Sequence, residues 1–194
     1  MQNSSLFSHG GGAWLRWLPT FVGFPIGSAL AFAIIGPVEQ PLSALLGGAL
    51  NGLVLGAVQA FVLRRQVPVV QWAAATAIGL AAGLALGSAA VGYRTGLVDL
   101  AVQGAVSGAA VGLAQAIVLR GHLAAPWRWP LLTTLAWTIG WIVTVSIGVN
   151  VSVHWTVFGS GGAVVAAALT GLLPVLLARQ ATAAGAQSAI AATR

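Results

Sequence analysis

The chain has no cysteine, two acidic residues in 194, and charged residues at only 5% of its length. Each shortage excludes something. Without cysteine there are no disulfides, no thiolate metal ligands and no thiol nucleophile. With only Glu39 and Asp99 as acids, set against eight arginines, there is too little charge to cover a water-facing surface, since a soluble domain carries about 25% charged residues. What fills the chain instead is apolar: 58% of residues are hydrophobic and the mean hydropathy is +0.95. The predicted solvent for most of this protein is lipid. Its net charge of +6 has no soluble basic patch to sit on, so no nucleic-acid partner is expected.

Six apolar stretches, near 15–36, 42–63, 69–91, 97–119, 129–149 and 155–178, each have the roughly 20 residues needed to cross a hydrocarbon core of about 30 Å. They are continuous rather than alternating, which favours helices over a barrel. A helix also satisfies its own backbone in lipid.

Two of these stretches are copies of one another. GGALNGLVLGAVQAFVLRR from Gly47 recurs as GAVSGAAVGLAQAIVLRG from Gly104, so that Gln59 matches Gln115, Gly56 matches Gly112 and Arg64 matches Arg120 at a constant offset of 56 residues. The preceding span joins in, because Thr20, Gly23 and Gly27 match Thr76, Gly79 and Gly83. An eroded third copy, GLLPVLLARQ, keeps Gly171 and Arg179 but has Pro174 where the others have glutamine. Repetition at this period predicts a repeat architecture. The expected fold class is an all-α integral membrane protein whose six transmembrane helices form three tandem two-helix repeats, near 14–66, 69–121 and 127–180. A pseudo-threefold bundle along the membrane normal is the natural arrangement. Residues 1–180 are expected to make a single transmembrane domain. The tail over 181–194 is expected to be a frayed helical extension or disordered on the cytoplasmic side. Pro25 and Pro174 are expected to bend the first and sixth spans.

The repeated G-x3-G-x3-G-x2-Q-x3-L-R helix, followed by a tryptophan-led helix, resembles multi-pass bacterial membrane proteins, themselves uncharacterised, that carry such hairpins over most of their length. The resemblance implies architecture and a bacterial inner (plasma) membrane. It implies no activity and no functional residue.

Arginine placement predicts orientation, because cytoplasmic loops keep positive charge. With both termini cytoplasmic, Arg16, Arg64, Arg65, Arg120, Arg128, Arg179 and Arg194 fall inside and only Arg94 outside, together with Glu39 and Asp99. Trp14, Trp17, Trp72, Trp127 and Trp129 are expected at the cytoplasmic interface and Trp155 at the outer one, where indoles favour headgroups. Trp137 and Trp141 lie mid-span and are expected as packing or lipid-facing residues.

Every span carries small residues four apart, including Gly48, Gly52 and Gly56, the pattern that lets membrane helices approach closely. At 100° per residue Gln59 projects within about 20° of Gly48, and Gln115 does the same in its copy. With Asn51 at the edge of that face, these three amides are expected either to hydrogen-bond across helices or to line a pore. Arg64, by the same arithmetic, points about 160° from the glycine stripe. Arg64, Arg120 and Arg179 are therefore expected as interface anchors that snorkel to lipid headgroups rather than as an anion-binding ring.

Chemistry is sparse. Glu39, Asp99 and His154 form an outer-face cluster that would suit a metal, or a hydrolase with Ser152 or Ser160, but no diagnostic spacing supports either. No catalytic residue, cofactor-binding residue or metal ligand is assigned, and no ionisable residue lies mid-span to relay protons. The protein is expected not to be an enzyme. Two roles remain in view. The first is a non-catalytic accessory or scaffold subunit, partnered by membrane lipids and by another membrane protein or a second copy of itself. The second is a channel or facilitator for a small neutral or amphipathic solute or lipid.

Overall fold

A computed structural model of the chain describes residues 11–149, 151 and 160–192. Among them there is no strand, and six helices are each long and apolar enough to cross a membrane: α1 (Gly11–Ile35), α2 (Pro41–Leu63), α3 (Val69–Ala90), α4 (Leu97–Val118), α5 (Arg128–Ser146) and α6 (Ser160–Gln180). At 19 to 25 residues they run about 28 to 38 Å. This is a multi-pass membrane protein.

Local chemistry sets the helix ends. Before α2, the Gln40 side chain accepts from the backbone N–H of Ser43 while the Ser43 hydroxyl accepts from the N–H of Gln40, and Pro41 fills the first turn, where a missing N–H costs nothing. α3 stops where Gly92 and Tyr93 turn left-handed, at φ 61° and 59°, with Tyr93 N–H donating to Ser88 O at 2.8 Å. The prolines act one turn upstream of themselves. Pro174 cannot bond the carbonyl of Thr170, and α6 breaks into a turn at Gly171. Ahead of Pro25, residues Leu18–Val22 of α1 tighten into a 3-10 turn. Beyond α6 the helix continues to Ala192, so residues 181–192 take the helical one of the two expected forms.

Glycines decide how closely the helices approach. A Cβ on Gly48 or Gly52 would lie 2.5 and 2.7 Å from the carbonyls of Leu80 and Thr76 on α3. Gly79 and Gly83 of α3 stand equally close to Val111 and Ser107 of α4, with a Cβ falling 2.7 and 2.6 Å from their Cα atoms. Gly108 of α4 faces Thr133 O of α5 at 2.6 Å, and Gly140 of α5 faces Gly162 O of α6 at 2.8 Å. Gly171 of α6 then meets Trp14 of α1, whose indole N–H donates to Ala168 O at 2.9 Å. Gly23 of α1 completes the circuit against Leu55 of α2. Each helix packs on its sequence neighbours and the sixth returns to the first, giving a closed ring of six.

Because the helices alternate, one end of the ring carries Arg16, Arg64, Arg65, Arg120, Arg128 and Arg179, and the other carries Glu39, Arg94 and Asp99. The arginine end is plugged by an apolar cluster of Trp17, Leu63, Trp72, Leu119, Trp129 and Leu173 with their neighbours, all at most 5% exposed. This corrects the expectation for three tryptophans. Trp17, Trp72 and Trp129 lie near the membrane end as expected, but inside the ring instead of at the headgroups, whereas Trp127 is 63% exposed. Burial of a span's most apolar window is only 28–39%, and residues such as Phe61, Ile78, Leu113 and Leu135 point outward. Only lipid solvates such an exterior.

Candidate functional site: a polar axis with two chambers

The interior of the ring is a column of uncharged polar groups. The Trp72 indole of α3 donates to Gln59 Oε1 of α2 at 3.1 Å, and the Trp129 indole of α5 donates to Gln115 Oε1 of α4 at 2.8 Å. The Trp17 indole of α1 donates to Thr170 Oγ1 of α6 at 3.1 Å. Sequence matching placed Pro174 opposite the glutamines; the group that meets the indole is Thr170, one turn earlier. Gln115 ties the column together by donating from Nε2 to Thr76 Oγ1 at 2.8 Å and to Gln59 Oε1 at 3.3 Å. It is 1% exposed and uses its whole amide.

The threonines work through a shared device. Thr76, Thr133, Thr144 and Thr170 each donate the hydroxyl hydrogen to a carbonyl four residues back on their own helix, at 2.9, 3.0, 3.0 and 2.7 Å. The donor is then spent and the oxygen lone pairs face the axis as acceptors. Gln59 Nε2, by contrast, makes no hydrogen bond among the described residues.

Two cavities lie along this column. The smaller, about 50 Å³, has Thr20, Gln59, Gln115, Thr133, Thr144 and Thr170 on its wall and has room for a few water molecules. The larger, about 290 Å³, lies towards the acidic end, with Ser28, Asn51, Ser88 and Gln103 on its polar wall and exposed Glu39 and Arg94 at its rim. Phe24, Trp137 and Trp141 line both. The Phe24 ring stands nearly perpendicular to the two indoles, at centroid distances of 5.7 and 6.3 Å. These three rings form a septum. Trp137 and Trp141 therefore face the interior rather than lipid, and Trp141 reaches so close to Gly104 that a Cβ there would collide with it.

The three amides singled out from the sequence all face the axis. Asn51, 6% exposed, donates to Ser28 Oγ at 3.0 Å, and its Oδ1 is buried without a partner. Gly27 makes this possible, since any Cβ there would overlap that oxygen. Arg64, Arg120 and Arg179 are exposed at the arginine end. Arg64 donates to Phe61 O at 2.8 Å and lies 4.4 Å over the Phe61 ring, turned outward as expected of an anchor. The outer-face cluster does not assemble from its described members: Asp99 is held by Arg94 at 2.9 Å, Glu39 is exposed on the rim, and His154, like Ser152 and Trp155, lies outside the described residues. Among the described residues no three His, Cys, Asp or Glu side chains group around a common point.

Gln103, Ser88 and Tyr93 were missed by sequence reasoning. Gln103 had a signal, because it stands four residues before Ser107 on the small-residue face, and its Nε2 does donate to Ser107 Oγ at 3.0 Å. Tyr93 had none; only the left-handed turn after α3 brings it to the chamber. Compared with family models, curated proteins and solved structures, the chain has no significant match.

Proposed function

We propose that this protein is a non-catalytic channel or facilitator that conducts a small neutral or amphipathic solute along the axis of its helix ring. The observation that carries the proposal is the pair of cavities on one axis, where amides and hydroxyls stand among apolar and aromatic side chains and, among the described residues, no charged side chain lies below the rim. Such a wall compensates a neutral polar solute and rejects ions, whose desolvation it cannot offset. Plugged at the arginine end, the ring is in a state accessible from the acidic end. Three tandem hairpins about a pseudo-threefold axis, in a bacterial inner membrane with cytoplasmic termini, fit the sequence repeats and the three alike indole bonds.

The accessory-subunit role rests on small-residue faces left over for a partner. All the glycines of α3 and α4, and those of α2 except Gly47, are spent on neighbouring helices of the same chain, which favours transport over scaffolding. The test is flux. Proteoliposomes subjected to an osmotic step with glycerol should re-swell several-fold faster than protein-free vesicles while remaining tight to sodium. Equal rates for a panel of neutral solutes, together with a stoichiometric partner chain in native mass spectra, would return the protein to the accessory class.

A further inference from the structure

We infer that the smaller chamber is a binding site for a small uncharged solute carrying an acceptor oxygen, the chemistry of a primary amide or a diol, and that Gln59 and Thr20 select it. The inference rests on the proposed conduction pathway, of which the bound solute would occupy the inner station.

The site lies where one bond of the repeat is left unmade. Thr20 and Gln59 match Thr76 and Gln115 at the offset of 56 residues, and Gln115 Nε2 donates to Thr76 Oγ1 at 2.8 Å. The equivalent bond, from Gln59 Nε2 to Thr20 Oγ1, does not form, although both residues stand on the wall of the same chamber. Its cause is local to α1. Thr76 and Thr133 return their hydroxyls to the carbonyls of Trp72 and Trp129, four residues back. Thr20 sits instead in the 3-10 turn of Leu18–Val22, whose tighter winding takes the hydroxyl off that carbonyl.

Two polar groups are thereby left to the chamber. Gln59 Nε2 and the Thr20 hydroxyl have no partner among the described residues, yet neither is among the unpartnered atoms sealed from water, which are Asn51 Oδ1, Gln66 Oε1, the Tyr93 hydroxyl and His122 Nδ1. Gln59 is half-buried and Thr20 is 1% exposed, and inside the ring the chamber is the space they face. Leaving such groups unpaired is costly. An oxygen in the chamber accepts from Gln59 Nε2, and the Thr20 hydroxyl, which can donate or accept, completes its bonding.

Size and charge follow from the walls. A water needs about 10–15 Å³ of such space, so about 50 Å³ seats roughly three to five non-hydrogen atoms. Among the described residues no charged side chain lines this chamber; Glu39 and Arg94 belong to the other one, beyond the septum of Phe24, Trp137 and Trp141. An ion would be buried here without a counter-charge.

The experiment follows the side-chain amide of Gln59 by NMR in the full chain, labelled with ¹⁵N-glutamine in nanodiscs and assigned by the loss of its signal in Gln59→Leu. Acetamide and ethylene glycol are the probes, acetamidinium and acetate their charged counterparts, and the exposed amide of Gln71 is the control for bulk solvent effects. A saturable shift of Gln59 with acetamide or ethylene glycol is expected, and whichever titrates identifies the solute as amide or diol; both ions should bind at least about tenfold more weakly. Thr20→Val removes a hydroxyl that has no partner, so unfolding should be unchanged while affinity falls about fivefold. Thr20→Ser keeps the hydroxyl and should bind within about twofold of the parent. A Gln59 amide that contacts water alone and does not titrate with either probe, one that shifts only in step with Gln71, an ion that binds as tightly, or unchanged affinity in Thr20→Val overturns the inference. The two proposals separate cleanly: glycerol flux without titration of Gln59 removes this site and leaves the pathway, whereas titration with the expected variant pattern and no flux keeps the site and removes the pathway.

Discussion

Gln115 has the most demanding position among the described residues, because it joins α2, α3, α4 and α5 through Gln59, Thr76 and Trp129 while nearly fully buried. Its replacement by leucine keeps the volume but leaves an indole N–H and the Gln59 amide short of partners. Interhelical hydrogen bonds in membranes average about 0.6 and reach about 1.7 kcal/mol. Gln115→Leu, which loses three of them, should cost about 2 kcal/mol in a reversible unfolding titration in bicelles. Gln59→Leu should cost less, and the double variant less than the sum, because the two share a bond. The ion pair between Arg94 and Asp99 is the opposite case. Arg94 is 68% exposed, and Asp99→Asn should change stability by less than about 1 kcal/mol in the same titration.

At the scale of the helix, the glycines differ in what surrounds them, and the difference is testable. Gly48 and Gly108 would place a Cβ 2.5 and 2.6 Å from a backbone carbonyl of the next helix, whereas the nearest atom to a Cβ on Gly47 is a Val38 methyl at 3.9 Å. A backbone carbonyl cannot swing aside as a side chain can. Gly48→Ala and Gly108→Ala should therefore each lose about 1–3 kcal/mol, and Gly47→Ala should stay within about 0.5 kcal/mol, read from thermal unfolding by tryptophan fluorescence. All three glycines look alike in sequence, and two of them are adjacent. Only one of that pair points at a neighbour's backbone.

For the whole molecule the orientation is directly testable, because the absence of cysteine leaves the chain free for single-cysteine labelling. Six arginines at one end predict that end to be inside. A single Thr95→Cys, on the loop after α3, should react with an impermeant maleimide in intact cells. Ala124→Cys, on the loop between α4 and α5, should react only after permeabilisation. Both sites are exposed, so the reverse labelling would invert the topology and turn the larger chamber toward the cytoplasm.

Much of this construction was legible in the residues alone. Six spans, their approximate limits and the inward aim of Gln59, Gln115 and Asn51 follow from apolar length and from 100° of rotation per residue, which are local properties of a helix. The chambers were not legible, nor was the burial of Trp17, Trp72 and Trp129, nor the inward turn of Trp137 and Trp141. Hydropathy scores an indole or a leucine alike whether it meets lipid or another helix, so in a membrane protein apolarity does not separate inside from outside. The backbone separations that distinguish Gly48 from Gly47, the closure of α6 on α1 through Thr170 and Trp17, and the space left above Phe24 depend on all six helices at once. Sequence determined the elements and their faces; tertiary structure decided which faces meet, because close packing is a property of pairs.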